Sequence, residues 1–204
     1  MEKEYYDAQI KYINEIRSIR HDMQAHMIVL QYYLESENYE KAKAYLGDMR
    51  RHQNAASVVI KDTGNDLVNA IVSDCLSQSE KGIVFEMEGL LPEKMCMSEY
   101  DICTLFSNLF SNAKEACDKL VYSSSSIRME VQENNENCSI AIQNPIEWKI
   151  KMKDYQLETT KKDKKIHGIG TKNIIKVVKR YHGTIEFLVT EELFRVEIVL
   201  PKEI

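Results

Sequence analysis

From Glu2 to Glu35 the chain runs without proline or glycine, and residues suited to a helix seam recur at Tyr12, Ile16, Ile19, Met23, His26, Leu30 and Tyr33. The spacing alternates between four and three residues. That alternation is a heptad stripe, and it predicts a helix that pairs with other helices along one edge. The polar break "ESEN" follows, and a second helical stretch from about Tyr39 to Ile60 offers Ala42, Tyr45, Leu46, Met49 and Ala56 for a facing stripe. The two read as an antiparallel helical hairpin. Two helices alone bury little apolar surface, so the pattern predicts a homodimer in which two hairpins close a four-helix bundle.

The texture changes at "KDTGND", Lys61 to Asp66, where Gly64 sits among turn and cap residues. A boundary here divides the chain into residues 1–62, the hairpin, and 63–204, a second domain. In the second domain the pattern predicts a helix over Asn65 to Ser79, a strand over Ile83 to Glu88, a loop containing Pro92 and a long helix over Ser98 to Leu120. Strands follow at "SIRMEVQEN" and "CSIAIQN", then a Lys-rich segment from Ile146 to His167 without apolar periodicity. A helix from Gly168 to Tyr181 and two strands, "TIEFLVT" and "LFRVEIVL", close the chain. Helices mixed with antiparallel strands predict an α+β sandwich with its helices on one face of the sheet.

Composition narrows the function. The chain has 204 residues, 44% of them hydrophobic and 29% charged, with a formal net charge of −5. Such a balance gives no general attraction to nucleic acid. No apolar run approaches the roughly 18 to 20 residues that span a bilayer, and "MEKEYYDAQI" lacks the apolar core of a signal peptide. Five scattered cysteines, Cys75, Cys96, Cys103, Cys117 and Cys138, show neither C-x-x-C spacing nor a histidine at zinc-finger distance. They read as thiols in a reducing cytoplasm.

Two helices carry candidate chemistry. On "LFSNLFSNAKEACDKL", Leu105 to Leu120, the residues Asn108, Asn112 and Glu115 share one face, and Leu105, Phe106, Leu109, Phe110, Ala113 and Ala116 supply the buried side. Two amides and a carboxylate can ligate a hard cation such as Mg2+ and set phosphate oxygens around it. In "HGIGTKNIIKVVKRYHG", Gly168 and Gly170 immediately precede an amphipathic helix whose first N–H groups are free to hold a phosphate, with Lys172 adding charge. The segment "KKDKK", Lys161 to Lys165, lies in a loop long enough for a lid or a binding role.

In this order, the elements resemble the ATP-binding domain of the GHKL superfamily, also called the Bergerat fold: "NLFSNAKEA" is similar to its N box and "HGIGTKN" to its glycine box. The hairpin with "RHDMQAH" resembles the dimerisation and phosphoacceptor region of sensor histidine kinases, most of all the Gram-positive peptide-pheromone, quorum-sensing subfamily. "TGN" at Thr63 to Asn65 is similar to that subfamily as well. The resemblance implies ATP-dependent autophosphorylation on a histidine and phosphotransfer to the receiver domain of a response regulator. It makes Asn112 the Mg2+ ligand and Asn108 its neighbour, with Glu115 on the same face. Gly168 and Gly170 shape the phosphate end, where Lys172 or Asn173 contacts the phosphates. It further implies a cytoplasmic location, as the inner part of a membrane receptor whose sensor segment lies outside this chain.

Two departures stand out. The family's adenine-reading aspartate sits in a D-x-G-x-G box, whereas the corresponding strand here ends in Asn144 followed by Pro145. An amide both donates and accepts, and can still read an adenine edge. Four residues after the first histidine, where related kinases carry Asn or Thr to orient a dephosphorylating water, this chain has Ala25.

The heptad separates the two histidines without help from the family. His26 falls on the seam with Ile19 and Tyr33, while His21 takes the outermost position. An acceptor must meet a separate ATP-binding domain, so His21 is the predicted phosphoacceptor. Asp22 beside it orients the ring or accepts its proton, and Arg20 can offset incoming phosphate charge. His52, His167 and His182 have no comparable setting. Two other readings stay open: a GHKL regulatory module that binds nucleotide weakly and acts through its helices, and an anti-sigma-type serine kinase.

Overall fold

The computed structural model of the protein describes residues 2–51, 60–79, 82–121, 124–146, 152–153, 156–157 and 168–202. The Lys161 to Lys165 run, His52 and His167 lie outside the described residues. The chain divides into two units, Met1–Ala55 and Ala56–Ile204.

The first unit contains α1 (Glu2–Glu35) and α2 (Tyr39–Arg51). Helix α1 ends in a Schellman turn: Asn38 N–H donates to Tyr33 O at 2.8 Å and Glu37 N–H to Leu34 O at 3.0 Å. Glu37 occupies the left-handed position, φ 54°, that glycine usually takes. Leu30 and Ala42 are buried where the helices meet. Tyr45 on α2 meets Tyr33 edge-on at 6.1 Å and lies 5.9 Å from the His26 ring. The covered part of the predicted stripe is therefore its C-terminal end. Tyr12, Ile16, Ile19 and Met23 are exposed.

In the second unit α3 (Asp66–Ser77), β1 (Gly82–Glu88), α4 (Glu99–Lys119), β2 (Ser124–Glu133) and β3 (Asn137–Pro145) are followed by a small pair, β4 (Met152–Lys153) and β5 (Gln156–Leu157). Then come α5 (Gly168–Arg180), β6 (Thr184–Val189) and β7 (Leu193–Pro201). Five strands form one sheet in the order β1-β2-β3-β7-β6. All its pairings are antiparallel except β1 with β2, which is parallel. A parallel pair needs a crossover, and α4 is that connection.

Strand alternation explains the layering. Ile127, Met129 and Val131 on β2, Cys138, Ile140 and Ile142 on β3, and Val196, Ile198 and Leu200 on β7 are buried, each two residues from the next. They pack beneath α4, whose Leu105, Phe106 and Phe110 are fully enclosed. The other face of the sheet carries a polar ladder. Arg195 Nη2 donates to Glu130 at 2.8 Å, Nη1 to Gln143 at 2.9 Å and Nε to Glu197 at 2.7 Å. Thus one face is core and the other is hydrated.

"DTGN" is a structural joint. Asp62 Oδ1 accepts from Gly64 N at 3.0 Å and from Asn69 Nδ2 at 2.8 Å, while Asn69 Oδ1 accepts from both the N–H and the hydroxyl of the fully buried Thr63. Gly64 needs its φ of +84°, and a Cβ there would stand 2.6 Å from Leu91 O. Asn65 then caps α3, accepting from Val68 N at 3.2 Å.

A second joint ties the start of α4 to the end of α5. Asp101, 4% exposed, accepts from Arg180 Nη1 at 2.7 and 2.8 Å, from Tyr181 Oη at 2.8 Å and from Ser98 Oγ at 3.1 Å. Burial, the largest influence, pushes its carboxyl up, but the combined bonds from Tyr181, Arg180 and Ser98 outweigh it and hold the group below the usual range. A depressed carboxylate stabilises the fold above its unfolded pKa and loses that contribution as pH falls. Asp101→Asn is therefore expected to cost about 1–3 kcal/mol at pH 7. The gap from wild type should close below about pH 4, as read from urea midpoints across the acid range.

Candidate functional site

Helix α4 brings Asn108 and Asn112 against the first turn of α5. Asn108 Nδ2 donates to Thr104 O at 2.6 Å, which fixes the amide and turns its oxygen outward. A Cβ built on Gly170 would lie 3.0 Å from Asn108 Oδ1 and 3.6 Å from Asn112 Oδ1. The amide oxygens of both asparagines thus converge on a helical residue that has no side chain to obstruct them. Gly170 lies inside the first turn of α5 and not ahead of the helix, and neither it nor Gly168 has a positive φ. Its role is close approach and not backbone freedom.

Beside this junction runs a crevice between α4, α5 and the ends of β3, β6 and β7. Leu109, Ile142, Ile174, Phe187 and Phe194 form its apolar walls, and Asn112, Asn144 and Thr171 its polar points. Asn144 is 3% exposed, and its Nδ2 donates to Pro145 O at 3.0 Å. Phe187 and Phe194 stack on each other with centroids 6.2 Å apart. Its free volume is only about 20 Å³, room for about one water, so these residues form the edge of a site and not a preformed cavity.

The other predicted residues are placed as follows. Lys172 is exposed and folds back beside Gly168, its Cε 3.9 Å from where a Gly168 Cβ would stand. Asn173 is half-buried and does not line the crevice. Glu115 pairs with Lys119 at 3.1 Å, one turn along α4, and is likewise absent from the crevice wall. His21 is exposed on α1, its side chain 82% accessible, with Nδ1 3.4 Å from Asp22 Oδ1. His26 is half-buried, and its Nδ1 lies 2.7 Å from Tyr45 Oη on α2.

Sequence reasoning missed Thr171, Phe187 and Phe194. Thr171 sits inside the motif "HGIGTKN" and could have been found from it. The two phenylalanines lie on strands, where each reads as ordinary core.

The residues fit a magnesium nucleotide by their own chemistry. Amide oxygens are hard donors suited to Mg2+, and the first turn of α5 presents free N–H groups for phosphate.

Fold and site define a class: a mixed α/β sandwich whose crevice is opened by a glycine-bearing helix and edged by two amides. Residues 97–201 match the family model described as GHKL domain, and the chain belongs to this family. GHKL domains bind ATP, usually with Mg2+. Among solved structures, the chain resembles the mycobacterial sensor histidine kinase MprB at 12% identity, TM-score 0.51, over 68% of this chain and 95% of that one. The catalytic domain of the histidine kinase ThkA gives 14% identity and a TM-score of 0.50, over 68% and 92%. The histidine kinase domain of the Erythrobacter litoralis EL346 blue-light activated histidine kinase gives 12% and 0.50, over 72% and 68%. Identities this low speak to the fold. No curated protein sequence matches the chain. Among the described residues, no helix is long and apolar enough to cross a membrane.

Proposed function

We propose that the chain is the kinase portion of a histidine kinase, similar to the quorum-sensing subfamily, which phosphorylates itself on His21 and passes the phosphoryl group to a response regulator. The observation that carries this reading is the convergence of Asn108 and Asn112 Oδ1 on Gly170. In this reading residues 63–204 hold Mg2+ and ATP, and residues 1–62 are the dimerising and phosphoaccepting hairpin. The exposed Tyr12, Ile16, Ile19 and Met23 become the homodimer seam.

Asn112 would ligate Mg2+ with Asn108 supporting it, and the first turn of α5 with Lys172 and Asn173 would receive the phosphates. Asn144 reads the adenine edge from the floor of the crevice. Held there, Mg2+ would supply neutralisation of the phosphate charge. His21 supplies the lone pair of Nε2, a new N–P bond forms as the bond from γ-phosphorus to the bridging oxygen breaks, and ADP leaves with that electron pair. Asp22, near Nδ1, accepts the Nδ1 proton as the ring becomes cationic. Little covalent help is needed, so positioning and charge neutralisation are what these residues supply. The site works in the cytoplasm, where ATP is available.

Asn144 in place of an aspartate favours a second reading, a nucleotide-binding regulatory module that acts through its helices without chemistry. Incubation with Mg2+ and γ-labelled ATP separates the two. The kinase reading expects label on the chain that is acid-labile, alkali-stable and lost with EDTA. Nucleotide binding without label supports the module.

A further inference from the structure

A second cavity, of about 310 Å³, lies where the segment leading into α4 meets Tyr181 and the ends of β3 and β7. Four sulfur-bearing side chains line it, Met95, Cys96, Met97 and Cys138, of the nine methionines and five cysteines in the chain. Its thiols are differently placed. Cys96 is free and exposed, whereas Cys138 is free and 3% exposed. Cys96 Sγ contacts the carbonyl oxygen of Lys202, just past the end of β7, and Cys138 pairs in register with Leu200 two residues before it. One thiol is therefore exposed and the other buried, and both line the same cavity with the two methionines.

Thiolate and thioether sulfurs are soft ligands that favour soft cations, and all four sulfur-bearing side chains face this one cavity. Among the described residues no group of three His, Cys, Asp or Glu side chains could hold a metal ion, which leaves no structural zinc set of four such ligands. Two thiolates with a thioether suit a d10 monovalent cation of low coordination number. Such a bis-thiolate centre carries one net negative charge. Lys94 and Lys202 line the same cavity and offset it, and Lys202 Nζ is anchored by Glu133 at 2.8 Å.

We propose that Cys96 and Cys138, with the thioether of Met95 or Met97, form a binding site for Cu(I). The site stands apart from the nucleotide crevice and does not depend on the kinase reading.

The test is anaerobic titration of the full chain with Cu(I) against the chromophoric chelator bicinchoninate. The wild-type chain is expected to withdraw a single equivalent from the chelator. Cys96→Ser and Cys138→Ala should each weaken binding by at least about tenfold, and Cys103→Ser, which alters an exposed thiol elsewhere on α4, should change nothing. Cys96 is exposed, so its serine variant keeps the fold, as circular dichroism will verify. The proposal is overturned if wild type leaves the copper with the chelator, if Cys96→Ser binds as tightly as wild type, or if Cys103→Ser loses as much affinity as Cys96→Ser.

Discussion

Asn112→Ala is expected to slow ATP-dependent labelling of the chain by about 10²- to 10³-fold, the scale seen when one preorganised electrostatic contact is removed from a reacting site. Asn112 is exposed on α4 and outside the hydrophobic core, so the loss should come without unfolding. Gly170→Ala attacks the same point from the other side. Its new Cβ would stand 3.0 Å from Asn108 Oδ1, closer than ordinary van der Waals contact, and must displace that oxygen or the first turn of α5. Single-turnover labelling at saturating Mg2+ and ATP measures both variants, and unchanged circular dichroism identifies the effect as local. An Asn112→Ala chain that labels at the wild-type rate would remove Asn112 from the magnesium site.

Phe110→Ala carries the largest expected effect on stability. Phe110 is fully buried, stacks on Phe106 at 6.4 Å and meets Phe85 of β1 edge-on at 5.7 Å. Truncation removes a ring from the junction of α4 with the sheet, where close packing prevents full collapse, and should cost about 3–5 kcal/mol. Against a total of about 5–15 kcal/mol for a typical domain, that leaves the second unit marginal. Urea unfolding followed by near-ultraviolet circular dichroism should show the midpoint fall sharply with little change in slope. The same variant should also lose nucleotide binding at physiological temperature, since Asn108 and Asn112 share the helix that Phe110 anchors.

What was legible in the sequence was what repeats or sits close together. The heptad stripe predicts α1, and the Asn108, Asn112 and Gly170 spacing predicts which helices edge the crevice. Strand alternation predicts β2, β3 and β7 to within about two residues at each end. The parallel pairing of β1 with β2 was not legible, because it depends on α4 crossing over the sheet and not on the local pattern of either strand. Phe187 and Phe194 escaped for a related reason. Each follows ordinary in-facing periodicity, and only the order β3-β7-β6 sets them beside Asn144. Asp101 and Arg180, far apart in the chain, carry no motif, so their joint emerges only from packing. Glu115 is the converse case. It shares a helical face with Asn112, but its carboxylate finds Lys119 one turn on.

Both histidines lie in one motif, and their surroundings differ most where the kinase reading needs them to differ. His21 stands open to solvent beside Asp22, and His26 is engaged by Tyr45 between α1 and α2. Incubating wild type, His21→Ala and His26→Ala with Mg2+ and γ-labelled ATP, then reading acid-labile label on each chain, tests the central claim most directly. Label is expected on wild type, retained in folded His26→Ala and absent from His21→Ala. Label that persists in His21→Ala and disappears from His26→Ala would contradict it.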